Sequence, residues 1–146
     1  MGSRREGREL ALQALYQLDM RPDEDPSRGL ALFWSHFDGR DEAQAFAREL
    51  VDGVRHERER IDALIGGTAQ HWRLPRLSRV DLNLLRLSAF ELIGRPEIPA
   101  SVTINEAVEI ARRFGGEDSA SFVNGVLDAI ASALGAKAPQ KPSGTE

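Results

Sequence analysis

The amino-acid sequence predicts an all-α fold, a compact bundle of six to seven helices in one domain. Apolar residues recur at offsets of three and four along most of the chain, as they do on one face of a helix. Strand-like alternation of useful length is missing. Glycine, proline and capping residues mostly fall between the periodic stretches.

The first helix covers Arg4 to Leu18, with Ala11, Ala14, Leu15 and Leu18 as its stripe and a basic start. Pro22-Asp23-Glu24-Asp25-Pro26 is a loop of prolines and acids. Leu30, Phe33, Trp34 and Phe37 mark a short second helix that ends near Asp38-Gly39. Asp41 is placed to cap the next helix by accepting a bond from a free backbone N–H. There Ala43, Ala47, Leu50, Val54, Ile61, Leu64 and Ile65 hold one face over many turns. The charged run Arg55 to Arg60 is the expected break or kink, and Gly66-Gly67 the expected end.

Ser78 is placed to cap a helix over Arg79 to Ile93. Its stretch VDLNLLRLSAFELI is apolar around most of its circumference, which predicts the central buried helix. Gly94-Arg95-Pro96 stops it, and Pro99 keeps the following segment extended. Thr103-Ile104-Asn105-Glu106 has the spacing of a capping box. That helix should run to Phe114, with Gly115 as its C′ residue. Asp118 or Ser119 caps the last helix, which ends at Gly135. Ala136 to Glu146 is small, polar and proline-containing, and reads as a disordered tail. The expected division is therefore residues 1–135 as the helical domain and 136–146 as the tail.

Asn124-Gly125 needs its own account, because Asn-Gly is the strongest short hairpin signal. Here it interrupts a stripe of Val123, Val126, Leu127, Ile130 and Leu134, which is helical. Ser121, Gly125, Ala129 and Ser132 make a small-residue line up the same helix. The expectation is that a neighbouring helix approaches along this line, offsetting a propensity loss of about 0.8–1.0 kcal/mol at Gly125. Asn124 would hydrogen-bond a neighbouring backbone group.

Composition narrows the function. The chain of 146 residues is 41% hydrophobic and 29% charged, a soluble globular profile. No apolar run approaches the ~20 residues of a membrane span. The N-terminus carries Arg4, Arg5 and Arg8 but no apolar stretch of signal-peptide type, so export is not expected. Without cysteine, disulfides, thiolate metal sites and thiol nucleophiles are excluded, which is compatible with the cytoplasm. A net charge of −4 argues against indiscriminate coating of nucleic acid, but leaves room for a local basic patch.

Catalytic signatures are missing. His36, His56 and His71 lack metal-ligand spacing, and neither a nucleophile elbow nor a phosphate-binding glycine loop occurs. Gly115-Gly116 before a helix could form an anion-binding nest or simply stop one helix and restart another. No cofactor is expected.

Binding residues are better represented. Arg4, Arg5 and Arg8 open a helix whose dipole prefers acids there, and phosphate contact would offset that. A solvated N-terminus is the plainer alternative. Gln13 and Tyr16 lie three apart on one flank, where Tyr16 could stack on a base or close the core's edge. Arg112 and Arg113 suit a helix C-terminus, and Asp118 suits an N-cap. Phe122 sits one step off the Val123 stripe among polar neighbours, either a recognition platform or the core's edge.

Three blocks of the chain resemble the NusB transcription antitermination factors. RREGRELALQALYQLD is similar to that family's basic first helix, and SRVDLNLLRLSAFELI to its central helix. IPASVTINEAVEIARRFGGEDSASFVNGVLDAI is similar to its closing segment, over a long ungapped stretch. The resemblance implies two roughly perpendicular three-helix bundles and no catalysis. It implies binding of a single-stranded boxA signal in nascent RNA, together with the small-subunit ribosomal protein NusE. It also implies association with RNA polymerase and other Nus factors, suppressing termination chiefly in ribosomal RNA operons.

Carried over by position, the RNA surface would comprise Arg4, Arg5, Arg8, Gln13, Tyr16, Asp118 and Phe122, with Arg112 added. Asp81, at the start of the central helix, would meet the basic partner protein. The basic block is thinner than in some relatives: Glu6 interrupts it and no lysine joins it. Weak RNA binding without the partner is therefore expected. Alternatives are a helical protein-interaction adaptor without RNA binding, and the NusB-like domain of a ribosomal-RNA methyltransferase.

Overall fold

The structure, a computed structural model, describes residues 2–37, 41–68 and 77–135. Seven helices account for most of them: α1 (Gly2–Met20), α2 (Pro26–Ser35), α3 (Asp41–His56), α4 (Arg58–Thr68), α5 (Arg79–Gly94), α6 (Ala100–Phe114) and α7 (Ser119–Ala133). The described residues hold no strand. The expected all-α architecture is therefore what is found.

The central helix is α5. It packs against α1, α3, α4, α6 and α7, while α1 pairs mainly with α3 and α6 with α7. The helices thus fall into two groups that share α5. Ser78 caps α5 as expected, its Oγ accepting from the Asp81 N–H at 3.0 Å. Every residue from Leu82 to Ala89 is buried. Leu84, Leu85 and Leu87 are wholly so, each contributing roughly 1.5–3 kcal/mol relative to exposure. The long patterned stretch after Asp41 breaks at Glu57, inside the charged run, which separates α3 from α4. Gly53 and Gly94 leave room for the Phe90 ring between α3 and the end of α5. A Cβ at Gly53 would lie 2.2 Å from Phe90 Cζ.

Several local expectations are corrected. The prolines and acids before α2 do more than form a loop: Asp25 is its N-cap, accepting from the Ser27 N–H at 3.2 Å, with Pro26 in the first turn. Gly66-Gly67 lies within the last turn of α4, and Thr68 Oγ1 donates to the carbonyls of Leu64 and Ile65. Thr103-x-x-Glu106 is not a capping box, because α6 begins one turn earlier, at Ala100 after Pro99. Thr103 is instead buried inside the helix. Gly115 ends α6 at φ −94°, not in a left-handed conformation. Its missing Cβ matters for space, since a Cβ would stand 2.5 Å from Ser119 Oγ. Neither Asp118 nor Ser119 provides a side-chain cap for α7.

Asn124 and Gly125 are helical as expected, but the small-residue line is not a packing seam. Both residues are exposed, and nothing stands within 4 Å of where a Gly125 Cβ would be. The stop expected at Asp38-Gly39, the Asp41 side-chain cap and the tail at 136–146 lie outside the described residues and side chains.

Candidate nucleic-acid interface

Helical geometry sorts the residues of α1. Arg5, Gln13 and Tyr16 recur at helical spacing and share one exposed arc, while Ala11, Leu12, Ala14 and Leu15 face the core. Tyr16 keeps 40% of its surface exposed. Gln13 and Tyr16, with Leu12, Phe33, Val80 and Phe114, line an open groove of about 360 Å³. Phe114 is also exposed, and the Arg113 guanidinium stands 5.3 Å from its ring centroid.

The arginines of this region are mostly matched by carboxylates. Arg5 meets Glu106 of α6 through two parallel hydrogen bonds, Nε to Oε1 at 2.9 Å and a terminal nitrogen to Oε2 at 3.0 Å. This contact raises the Arg5 pKa above its ordinary value and holds the Glu106 carboxyl below the usual carboxylate range. Arg113 pairs with Glu9 at 2.7 Å, and Arg112 with Glu109 at 2.7 Å. Arg4 is exposed and stands 5.8 Å from the Phe46 ring centroid.

Arg8 departs from the expectation. Its side chain is only 3% exposed, and Nε and a terminal nitrogen each donate to Glu91 at 2.8 Å. Glu91 is fully buried in α5, and one of its oxygens also lies 3.4 Å from Thr103 Oγ1. A guanidinium committed inside the bundle presents no face to an RNA phosphate. Arg8 is therefore corrected from an RNA-contacting residue to one that fixes α1 on α5.

At the other end of the candidate surface, Asp118 is exposed just ahead of α7, with no cap bond holding its side chain. Phe122 is half-buried and packs against the core's edge. The Gly115-Gly116 turn is not an open nest. The Gly115 N–H donates to the Ala111 carbonyl at 2.8 Å and the Gly116 N–H to Ser119 Oγ at 2.9 Å. Asp81 lies in the first turn of α5, and its Oδ1 is buried without a hydrogen-bond partner among the described residues. Among the described residues no cluster of His, Asp and Glu could hold a metal ion.

Sequence reasoning missed Glu106, Glu91, Phe114 and Arg86. Arg86 is buried in α5 and forks onto Asp62 of α4 at 2.9 and 3.1 Å, with Asp19 of α1 at 3.4 Å. The available signal was one Arg and one Glu within the mostly apolar stretch from Leu82 to Leu92. Buried charges need opposite partners, and α1 carries one for each.

The fold and this surface define an all-helical binding module whose exposed groups suit polyanion and protein recognition. The chain belongs to the NusB family: the family model matches residues 5–132. It is 53% identical over 138 residues to the transcription antitermination protein NusB of Myxococcus xanthus, covering 92% of this chain and 98% of that one. It is similar in structure to T. maritima NusB, with a TM-score of 0.78 at 40% identity, covering 88% and 90% of the two chains. A crystal structure of antitermination factors NusB and NusE in complex with double-stranded RNA matches with a TM-score of 0.77 at 30% identity. That match covers 91% of this chain and 98% of the other.

Proposed function

We propose that this chain is a transcription antitermination factor. It binds a boxA-type single-stranded RNA together with ribosomal protein NusE, and joins RNA polymerase and other Nus factors in ribosomal RNA operons. It works in the cytoplasm on nascent transcripts, without cofactor or covalent chemistry. The observation that carries this reading is the exposed arc of α1 that presents Arg5, Gln13 and Tyr16 together. Family membership supports it, since relatives bear the antitermination name and one similar protein assembles with NusE and RNA.

The roles follow from the chemistry of each group. Arg4, Arg5 and Arg112 meet phosphates. Gln13 and Asp118 hydrogen-bond base edges, while Tyr16 and Phe122 offer stacking faces. Asp81 meets a donor of the basic partner. With few free cations, the chain alone binds RNA weakly and gains affinity with NusE.

The test is transcription in vitro from a template with boxA ahead of a terminator. The protein together with NusE should raise read-through, and a scrambled boxA should remove the gain. Equal read-through on both templates would refute the RNA-guided reading.

A second reading, a protein adaptor without RNA contact, draws on the apolar groove beside Tyr16. Arg5→Glu separates the two, because it should weaken RNA binding and spare the protein pair. Arg8 does not serve for this test, since reversing a buried charge disrupts the fold.

A further inference from the structure

Arg5 is nearly half exposed, whereas the Glu106 side chain that holds it is only 24% exposed. The carboxylate comes from below, from α6, and takes two of the three guanidinium nitrogens in a fork. A phosphate of RNA would seek the same geometry, since carboxylate and phosphate both accept two parallel guanidinium bonds. In the free protein the favoured edge of Arg5 is therefore already occupied.

A neighbouring contact makes displacement feasible. Arg8 uses Nε and one terminal nitrogen on Glu91, and its other terminal nitrogen lies 3.9 Å from Glu106 Oε1. When Arg5 turns toward a phosphate, Glu106 keeps a cation beside it and is not stranded. The exposed pair that must open is of the weak kind, contributing little to stability. One turn further along α6, Glu109 holds Arg112 in a simpler version of the same arrangement.

We propose that Glu106 is an internal competitor for the RNA phosphate that Arg5 contacts, and that it sets the RNA affinity of the free protein. This rests on the RNA-binding reading above. Glu106 orients the Arg5 side chain over the exposed arc of α1 and yields it when a phosphate arrives, its carboxylate then facing Arg8 alone. The weak affinity expected of the chain alone then has two sources: few cations, and this occupied one.

The experiment is fluorescence anisotropy with a labelled boxA-type single-stranded RNA, with and without NusE, at low and moderate salt. It compares the wild type, Glu106→Gln, Arg5→Ala and the double variant. Glu106→Gln should bind about two- to five-fold tighter, the range of a partly exposed ion pair. The gain should shrink in the Arg5→Ala background, because the competition needs Arg5. Glu106→Ala should move affinity in the same direction, and circular dichroism checks that each variant is folded. Merely structural roles for Glu106 would weaken binding or leave it unchanged. An equal gain with and without Arg5, or no gain in either Glu106 variant, overturns the proposal while leaving the RNA-binding reading intact. Absence of RNA binding by the wild type even with NusE at low salt overturns both.

Discussion

Arg8 of α1 and Glu91 of α5 form a forked ion pair at 2.8 Å, sealed inside the bundle, with the Arg8 side chain 3% exposed and Glu91 fully buried. The pair joins the N-terminal part of α1 to the C-terminal part of α5. The opposite end of the same contact is joined by Arg86 and Asn83 of α5 to Asp19 of α1, which shows the two helices to be antiparallel. These polar ties fix how α1 lies on the core, and so which of its residues face outward.

Breaking the Arg8–Glu91 pair should be costly. Arg8→Ala or Glu91→Ala leaves an uncompensated buried charge, for which a loss of about 3–5 kcal/mol is expected. Replacing both, as in Arg8→Met with Glu91→Leu, should recover most of that. Urea unfolding of the three variants checks it. A loss below 1 kcal/mol for both single variants would contradict the buried pairing.

Two glycines make opposite predictions. Gly53→Ala drives a methyl group into the Phe90 ring and should destabilise by about 1–3 kcal/mol. Gly125→Ala meets nothing and removes a flexible residue from a helix interior, so it should stabilise by about 0.5–1 kcal/mol. Thermal melting of both variants measures the contrast.

Acid should weaken one specific tie. The Glu106 carboxyl is held low chiefly by its hydrogen bond to Arg5, with charge attraction to Arg5 and Arg8 adding to it. A lowered carboxylate stabilises the fold above the ordinary carboxylate range and loses that contribution as pH falls through its folded value. The wild type should therefore melt above Glu106→Gln at neutral pH, with the difference closing as pH falls through and below the ordinary carboxylate range. A difference that stays constant over this range would remove Glu106 from that role.

Tyr16 separates function from stability. The residue is 40% exposed, so Tyr16→Ala should cost only about 1 kcal/mol of stability and leave the protein folded. If the ring stacks on a base, RNA binding should lose about 1–3 kcal/mol. Unchanged RNA affinity would make Tyr16 an edge of the groove and nothing more.

The helices were legible because their apolar spacing is regular, and α5 was recognisable from Leu82 to Leu92 by sheer density of apolar groups. The capping box at Thr103 misled because the same two residues, three apart, serve different partners. Thr103 faces Glu91 and Glu106 faces Arg5, pairings that only the packed helices create. The inward turn of Arg8 is hidden in the sequence for a related reason. A basic run gives no sign of which member turns inward until the helix phase and a buried carboxylate are known. The small-residue line through Gly125 resembles a packing seam in sequence, but Gly125 itself faces solvent on α7. Helical spacing alone pairs Gln13 with Tyr16, while the place of Arg5 on the same exposed arc comes from the folded helix.

The most direct test is titration of this protein into labelled boxA-type single-stranded RNA, with and without NusE, at two salt concentrations. Binding should be salt-sensitive, tighten with NusE, and weaken on Phe122→Ala or Arg5→Glu while the variants stay folded. No RNA binding under any of these conditions, beside a stable pair with NusE, would contradict it and make the chain a protein adaptor.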